Sequence, residues 1–106
     1  MAQELTRVKV AILATDGFEQ SELLEPRRAL DEAGARTEVV SLKSGKIKGW
    51  NHKEWGETVA VDQTVDSVNA NNYDALLLPG GVMNPDKLRT VPEAVQFVRS
   101  FFESRP

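Results

Sequence analysis

Blocks of apolar and polar residues follow one another along the chain, and the first blocks predict a strand, a helix and a strand. Residues 8–14, VKVAILA, are rich in β-branched side chains and run into a polar turn, which is typical of a buried strand. In residues 21–33 apolar positions recur at helical spacing, and Gly34 suits a left-handed helix end. Because proline lacks an N–H, Pro26 should either kink this helix or restart it. With a second strand at residues 37–42, the order predicts a parallel βαβ unit and the α/β class.

The later blocks extend this pattern and interrupt it once. Within residues 43–62 two short runs flank a polar centre, which predicts an antiparallel excursion that decorates the sheet. Residues 75–78, ALLL, are continuously apolar, as expected of a central parallel strand covered on both faces. A short helix is then expected from Pro85, and a longer one from Thr90 carries a wide apolar stripe. A further parallel strand should follow, but the sequence contains none.

Composition narrows the classes of protein. The 106 residues are 41% apolar and 27% charged, which predicts one compact domain over residues 1–106. The net charge of −3 makes nucleic acid or an anionic membrane an unnatural partner. Lys9 interrupts the apolar N-terminal segment, so neither a signal peptide nor a membrane span is expected, and the default location is the cytoplasm. The chain has no cysteine, which excludes disulfides, thiolate metal sites and a cysteine nucleophile within it.

Two glycines follow the apolar run of residues 75–78. Gly80 and Gly81 are expected at the carboxyl end of a parallel strand, where ligands gather in open α/β sheets. Backbone N–H groups there can be aimed at an anion or a developing oxyanion. The alternative is a tight turn that only needs flexible dihedral angles. A phosphate loop is excluded because the Gly-Lys-Ser/Thr ending is missing.

Three glutamates lie after the first strand, and one of them stands out. Glu19 and Glu25 are interpreted as solvated acids near a helix start. Glu22 should lie at the same sheet edge as the two glycines, in a partly dry place where it could share a proton with a nucleophile.

Other polar and aromatic candidates receive ordinary structural interpretations. The sole histidine, His52, is expected to be exposed on the excursion. Trp50 and Trp55 are expected to cover a sheet edge or a subunit contact. Asp16 is expected to serve a turn.

Three segments together carry a family resemblance. VKVAILATDGFEQSELLEP, NNYDALLLPGG and NPDKLR resemble the PfpI-type intracellular protease family of the ThiJ/PfpI superfamily, collinearly over essentially the whole chain. The resemblance implies a flavodoxin-like three-layer sandwich with a parallel sheet, truncated at its C-terminus before a further strand. It also implies that an elbow of the type ICHG, with a nucleophilic cysteine and an adjacent histidine, would follow.

The resemblance assigns roles to four positions. Glu22 matches the glutamate that hydrogen-bonds the elbow cysteine, and Gly80 and Gly81 match the glycines that frame the oxyanion pocket. Asp86 stands where the family carries an acid, often Glu, that reaches the catalytic histidine of a neighbouring subunit. The resemblance also implies that the protein needs no cofactor or metal and forms a homo-oligomer.

The leading hypothesis is the N-terminal part of a cysteine-dependent hydrolase. It would be an intracellular peptidase or a glyoxalase/deglycase of the stress response that acts on a peptide or a small carbonyl compound. The alternative is a non-catalytic truncated domain for oligomerisation or partner binding, and a glutamine-amidotransferase-like domain is a weaker third option. Truncation should leave one side of the strand at residues 75–78 unpaired and the Phe97/Phe101 face partly uncovered, so association is expected.

Overall fold

Two sheets and two long helices are present in the part of the chain that the structure describes. The structure is a computed structural model and describes residues 5–51, 53–80 and 88–103. The helices are α1, Gln20–Glu32, and α2, Pro92–Glu103, and two short 3-10 turns span Val65–Ser67 and Ala70–Asn72. The strands are β1 Lys9–Leu13, β2 Phe18–Glu19, β3 Arg36–Ser41, β4 Lys46–Asn51, β5 Glu54–Ala60, β6 Gln63–Thr64 and β7 Ala75–Leu77.

Within the described residues, the main sheet has four parallel strands in the order β6-β3-β1-β7. The predicted α/β class and the βαβ unit β1-α1-β3 are therefore confirmed. In the described part of the chain, the strand at residues 75–78 is unpaired on one side, as the sequence analysis predicted, but it is not covered on both faces as a central strand would be. There β7 is an edge strand, with Ala75 exposed and Leu76 and Leu77 only half-buried.

Side chains of β1 alternate between the two faces of this sheet. Ala11 and Leu13 belong to a buried cluster that includes Phe97 of α2. Ile12 belongs to a second cluster that includes Leu23 of α1. The two helices therefore cover opposite faces of the sheet, which gives the expected three layers, and β1 is buried on both faces because it is apolar throughout.

Helix α1 runs through its proline. Pro26 is the seventh of thirteen residues, so it neither starts the helix nor ends it. Since proline has no N–H, the helical hydrogen bond to the carbonyl of Glu22 cannot form. The helix ends as predicted, because Gly34 follows it at a positive φ of 94°, a backbone conformation that glycine adopts without strain.

The antiparallel excursion is confirmed, but it does more than decorate the sheet. Strands β4 and β5 pair antiparallel, and the two-residue strand β2 joins them in parallel, so the excursion forms a three-stranded sheet of its own. Ile47 and Val59 of this sheet belong to the same buried cluster as Leu23 of α1. The excursion is therefore attached to the segment between β1 and α1.

The aromatic face of α2 is covered, contrary to the expectation from truncation. Phe97 and Phe101 are 5% and 6% exposed. Phe97 makes an edge-to-face contact with Tyr73, with ring centroids 6.1 Å apart, and the two 3-10 turns contribute Val65 and Ala70 to the same cluster. The prediction failed because the loop before β7 folds over this face.

Some predictions fall on residues outside the described ranges. These are the short helix from Pro85 and the positions of Gly81, Asp86 and His52. In residues 5–51, 53–80 and 88–103, no helix is long and apolar enough to cross a membrane.

Candidate functional site

The main feature of the site is a double hydrogen bond to Gly80. Its N–H donates to Oε1 of Glu22 over 2.8 Å, and its carbonyl oxygen accepts from the N–H of Glu19 over 2.9 Å. Gly80 follows the carboxyl end of β7, and both glutamates lie at the start of α1 after the carboxyl end of β1. The structure thus brings Glu22 and Gly80 together at the edge where open parallel sheets bind ligands, as the sequence predicted.

The glycine at position 80 is required by this close approach. A Cβ built on Gly80 would overlap Oε1 of Glu22, so any other residue would displace the carboxylate. The backbone of Gly80 does not have the positive φ that Gly17 and Gly34 show. Of the two interpretations of this glycine, the structure therefore favours close backbone approach over an unusual dihedral angle.

Glu22 does not cap its own helix. It is the third residue of α1, a position from which a glutamate can reach back to the N–H of the capping residue, here Glu19. That N–H is instead donated to Gly80, and Glu22 accepts from Gly80 in return. The first turn of the helix therefore binds both backbone polar groups of Gly80, a residue that follows β7.

Glu22 is more exposed to solvent than the sequence analysis predicted. Glu22 is exposed, and Gly80 is half-buried. The expected dry pocket needs a covering element, and the described residues provide none over this carboxyl. Since the N–H of Gly80 is occupied by Glu22, it is not open to an oxyanion in this arrangement.

Sequence reasoning missed how the three-stranded sheet fixes the site. Asp16 accepts from the N–H of Lys48 over 2.8 Å, so its predicted turn role extends to anchoring β4. Gln20, the first residue of α1, accepts from the N–H of Glu57 in β5 over 2.8 Å. A Cβ on Gly49 would lie 2.9 Å from two ring carbons of Phe18, so this glycine is required for the two segments to meet. Gly49 and Gly56 were the sequence features that could have indicated this close contact between the excursion and the segment before α1.

The tryptophans and the serine of α2 have structural contacts. Trp50 and Trp55 meet edge to face with ring centroids 5.2 Å apart, and Trp55 is 48% exposed. The hydroxyl of Ser100 donates to the carbonyl of Gln96 in its own helix over 2.9 Å. Within the described ranges, no group of three or more histidines, aspartates or glutamates could hold a metal ion.

Comparison with known proteins decides the family. The model of the DJ-1/PfpI family matches residues 8–105. This chain belongs to the DJ-1/PfpI family. The resemblance to the ThiJ/PfpI superfamily, which the sequence motifs carried, is confirmed.

This chain spans little more than half the length of the curated relatives it matches. General stress protein 18 of Bacillus subtilis is 41% identical over 98 residues, which cover 92% of this chain and 55% of that protein. Deglycase TK1284 of Thermococcus kodakarensis is 41% identical over 96 residues, which cover 91% of this chain and 55% of that protein.

A solved structure shows the same fold. It is a two-domain protein from Anabaena variabilis with DJ-1/ThiJ/PfpI-like and ferritin-like domains. It matches with a TM-score of 0.84 and 34% identity over 92% of this chain and 27% of that chain. The flavodoxin-like arrangement predicted from the resemblance is thus confirmed.

Proposed function

We propose that this chain supplies the acid and part of the oxyanion frame of a PfpI-type cysteine-dependent hydrolase. The enzyme would be a cytoplasmic peptidase or glyoxalase/deglycase of the stress response, acting on a peptide or a small carbonyl compound. The observation that carries the proposal is the 2.8 Å hydrogen bond between Gly80 N–H and Glu22 Oε1 at the carboxyl edge of the sheet. The names of the two relatives, a general stress protein and a deglycase, support the same class.

The bound orientation of Glu22 suits proton transfer. Because Oε1 is occupied by the Gly80 amide, Oε2 is the oxygen that can face a thiol. The carboxylate takes the thiol proton, the sulfur then forms a bond to the carbonyl carbon of the substrate, and the carbonyl electron pair moves to its oxygen. The thiol itself must come from outside residues 1–106, because these contain no cysteine.

The oxyanion role shifts from the pair of glycines to the second one. The Gly80 amide orients Glu22, so we assign the donation to the developing oxyanion to the Gly81 amide, together with backbone amides of the thiol-bearing segment. Asp86 remains the proposed contact to the catalytic histidine of a neighbouring subunit in a homo-oligomer.

A chimeric enzyme tests the function. This chain replaces the matching 98 residues of General stress protein 18, and turnover of methylglyoxal and of a peptide is measured. We expect the chimera to be active and the 106-residue chain alone to be inactive. Glu22→Gln should lower kcat/KM at least about 100-fold, the scale of a lost general acid–base group. Glutamine can still accept from the Gly80 amide, so this variant removes proton transfer and keeps the hydrogen bond.

Glu25→Gln is the matched control, because Glu25 is an exposed glutamate one helix turn from Glu22. It should leave kcat/KM unchanged. Equal losses in the two variants, or turnover by the 106-residue chain that survives Glu22→Gln, would contradict the proposed function.

The absence of cysteine favours a second candidate, a non-catalytic domain for oligomerisation or partner binding. The chimera separates the two. A chimera that unfolds cooperatively, assembles and shows no turnover points to this second function.

A further inference from the structure

A β-bulge interrupts the pairing of β4 with β5 close to the start of α1. The register shifts between Lys48 and Trp50, so that two residues of β5, Gly56 and Glu57, lie opposite the single residue Gly49. An extra residue in one strand of an antiparallel pair leaves a backbone group without a partner in the ladder, and such bulges are frequent beside active sites. The bulge thus makes a backbone group of β5 available to another element.

Gln20, the first residue of α1, binds at this bulge. Its Oε1 accepts from the N–H of Glu57 over 2.8 Å. A Cβ on Gly56 would overlap this oxygen, and a Cβ on Gly49 would lie 3.4 Å from the Cβ of Gln20. Gln20 is half-buried there. The bulge and the two glycines therefore form a slot that fits this one side chain.

The first turn of α1 lacks two contacts that usually fix the start of a helix. Within the described residues, its N-cap residue, Glu19, makes no side-chain cap hydrogen bond. Pro26 removes the helical hydrogen bond to the carbonyl of Glu22, so the turn is also held less firmly from its C-terminal side. The contacts that fix this turn come from other elements, with Gln20 bound to β5 and the two glutamates bound to Gly80.

We propose that Gln20 is a positioning residue for Glu22. The two residues belong to one helical turn, so holding Gln20 at the bulge of β5 sets the rotation of that turn and the direction in which Oε2 of Glu22 points. The inference rests on the proposed function for the step that Glu22 performs, the removal of a thiol proton. The placement of Glu22 against Gly80 is measurable without turnover.

The first measurement follows the amide of Gly80 by NMR in the 106-residue chain while the carboxyl of Glu22 is titrated. A charged acceptor forms a stronger hydrogen bond than a neutral one, so the amide shift should change during the titration, and Glu22→Gln should abolish that change. Gln20→Met removes the amide oxygen at similar side-chain length and should reduce the change at least about twofold. Gln20→Glu keeps an acceptor for the N–H of Glu57 and should retain the change.

The second measurement is the turnover of the chimera with General stress protein 18. Gln20→Met should lower kcat at least about tenfold and leave KM within about twofold, because a misdirected general base slows the chemical step without weakening substrate binding. Gln20→Glu should restore most of kcat. Gly56→Ala displaces Gln20 from the side of β5 and should reproduce the loss, which keeps the test decisive if Gln20→Met unfolds the protein.

Asn69→Ala is the matched control. Asn69 also accepts a backbone N–H, that of Asn71, over 2.9 Å, but it lies in the loop before β7, away from the carboxyl end of that strand. The control loses one hydrogen bond of the same kind. It should lower the melting temperature about as much as Gln20→Met and leave kcat and the Gly80 signal unchanged.

Two results would overturn the positioning role. One is a Gly80 titration that Gln20→Met leaves unchanged, and the other is a kcat that falls equally in Gln20→Met and Asn69→Ala. A chimera without turnover, in a chain whose Gly80 signal still responds to Gln20→Met, would instead reject the proposed function and keep the role of Gln20 in placing Glu22.

Discussion

The two sides of β1 differ sharply in how completely they are covered. On the side of β3 and α1, Phe18, Leu23 and Val39 are fully buried, and the three-stranded sheet closes over them. On the side of β7, Leu78 and Val95 remain exposed around an apolar groove. The site residues lie at the junction, with Glu22 on the closed side and Gly80 on the open one. The closed side thus holds Glu22 in place, whereas the open side leaves an apolar groove exposed next to Pro79.

The largest expected effect is a difference in the free energy of unfolding between substitutions of two leucines, one on each side of this junction. Leu23 is fully buried, so Leu23→Ala should lower the free energy of unfolding by about 2–5 kcal/mol. Leu78 is 48% exposed, and Leu78→Ala should cost less than about 1 kcal/mol, because little apolar area returns to water. Urea unfolding of both variants measures the difference. Similar losses at the two positions would show that the open side is closed in solution.

The next largest effect is a difference in stability between alanine substitutions of two glycines, Gly49 and Gly80. Gly49→Ala forces a methyl group against the ring of Phe18, which is fully buried and cannot move away, so it should cost about 1–3 kcal/mol. Gly80→Ala meets only the end of the exposed Glu22 side chain, which can swing into water at the loss of about one hydrogen bond, or about 1 kcal/mol.

A double-mutant cycle checks the second half of this comparison. In a Glu22→Ala background, the cost of Gly80→Ala should nearly vanish, because the group it displaces is gone. An undiminished cost would mean that backbone strain, and not the Glu22 contact, requires glycine at position 80.

The smallest effect concerns the loop that leads into β7, and it appears at high pH. Burial, and secondarily the hydrogen bond that Tyr73 donates to Oε1 of Glu38 over 2.8 Å, raise the pKa of Tyr73 above its ordinary 10.0. Above pH 10 the unfolded chain loses this proton first, so the folded state loses stability as pH rises. Below pH 10 the contribution is fully present.

The expected loss is about 1.4 kcal/mol by pH 11. Unfolding by urea between pH 9 and pH 11 measures it, with Tyr73→Phe as the control that removes the dependence. The same pH dependence in Tyr73→Phe would assign the effect to groups other than Tyr73.

Local pattern determined the elements and the candidate site. The apolar runs at β1, β3 and β7, the helical spacing of α1 with Gly34 after it, and the polar centre of the excursion all depend on near neighbours in sequence. The sequence also predicted that Glu22 and Gly80 lie at one edge of the sheet, because each comes after the carboxyl end of a parallel strand, β1 or β7.

Only the tertiary structure decided which aromatic face is covered and how exposed Glu22 is to solvent. Strand β2 has only two residues and so no periodicity to detect, yet its pairing with β4 anchors the segment between β1 and α1. Likewise, Phe97 is buried by Tyr73, which lies far from it in sequence. Burial is set by what packs against a residue from distant parts of the chain, whereas periodicity reports only which face a residue is on, so no local pattern could supply these results.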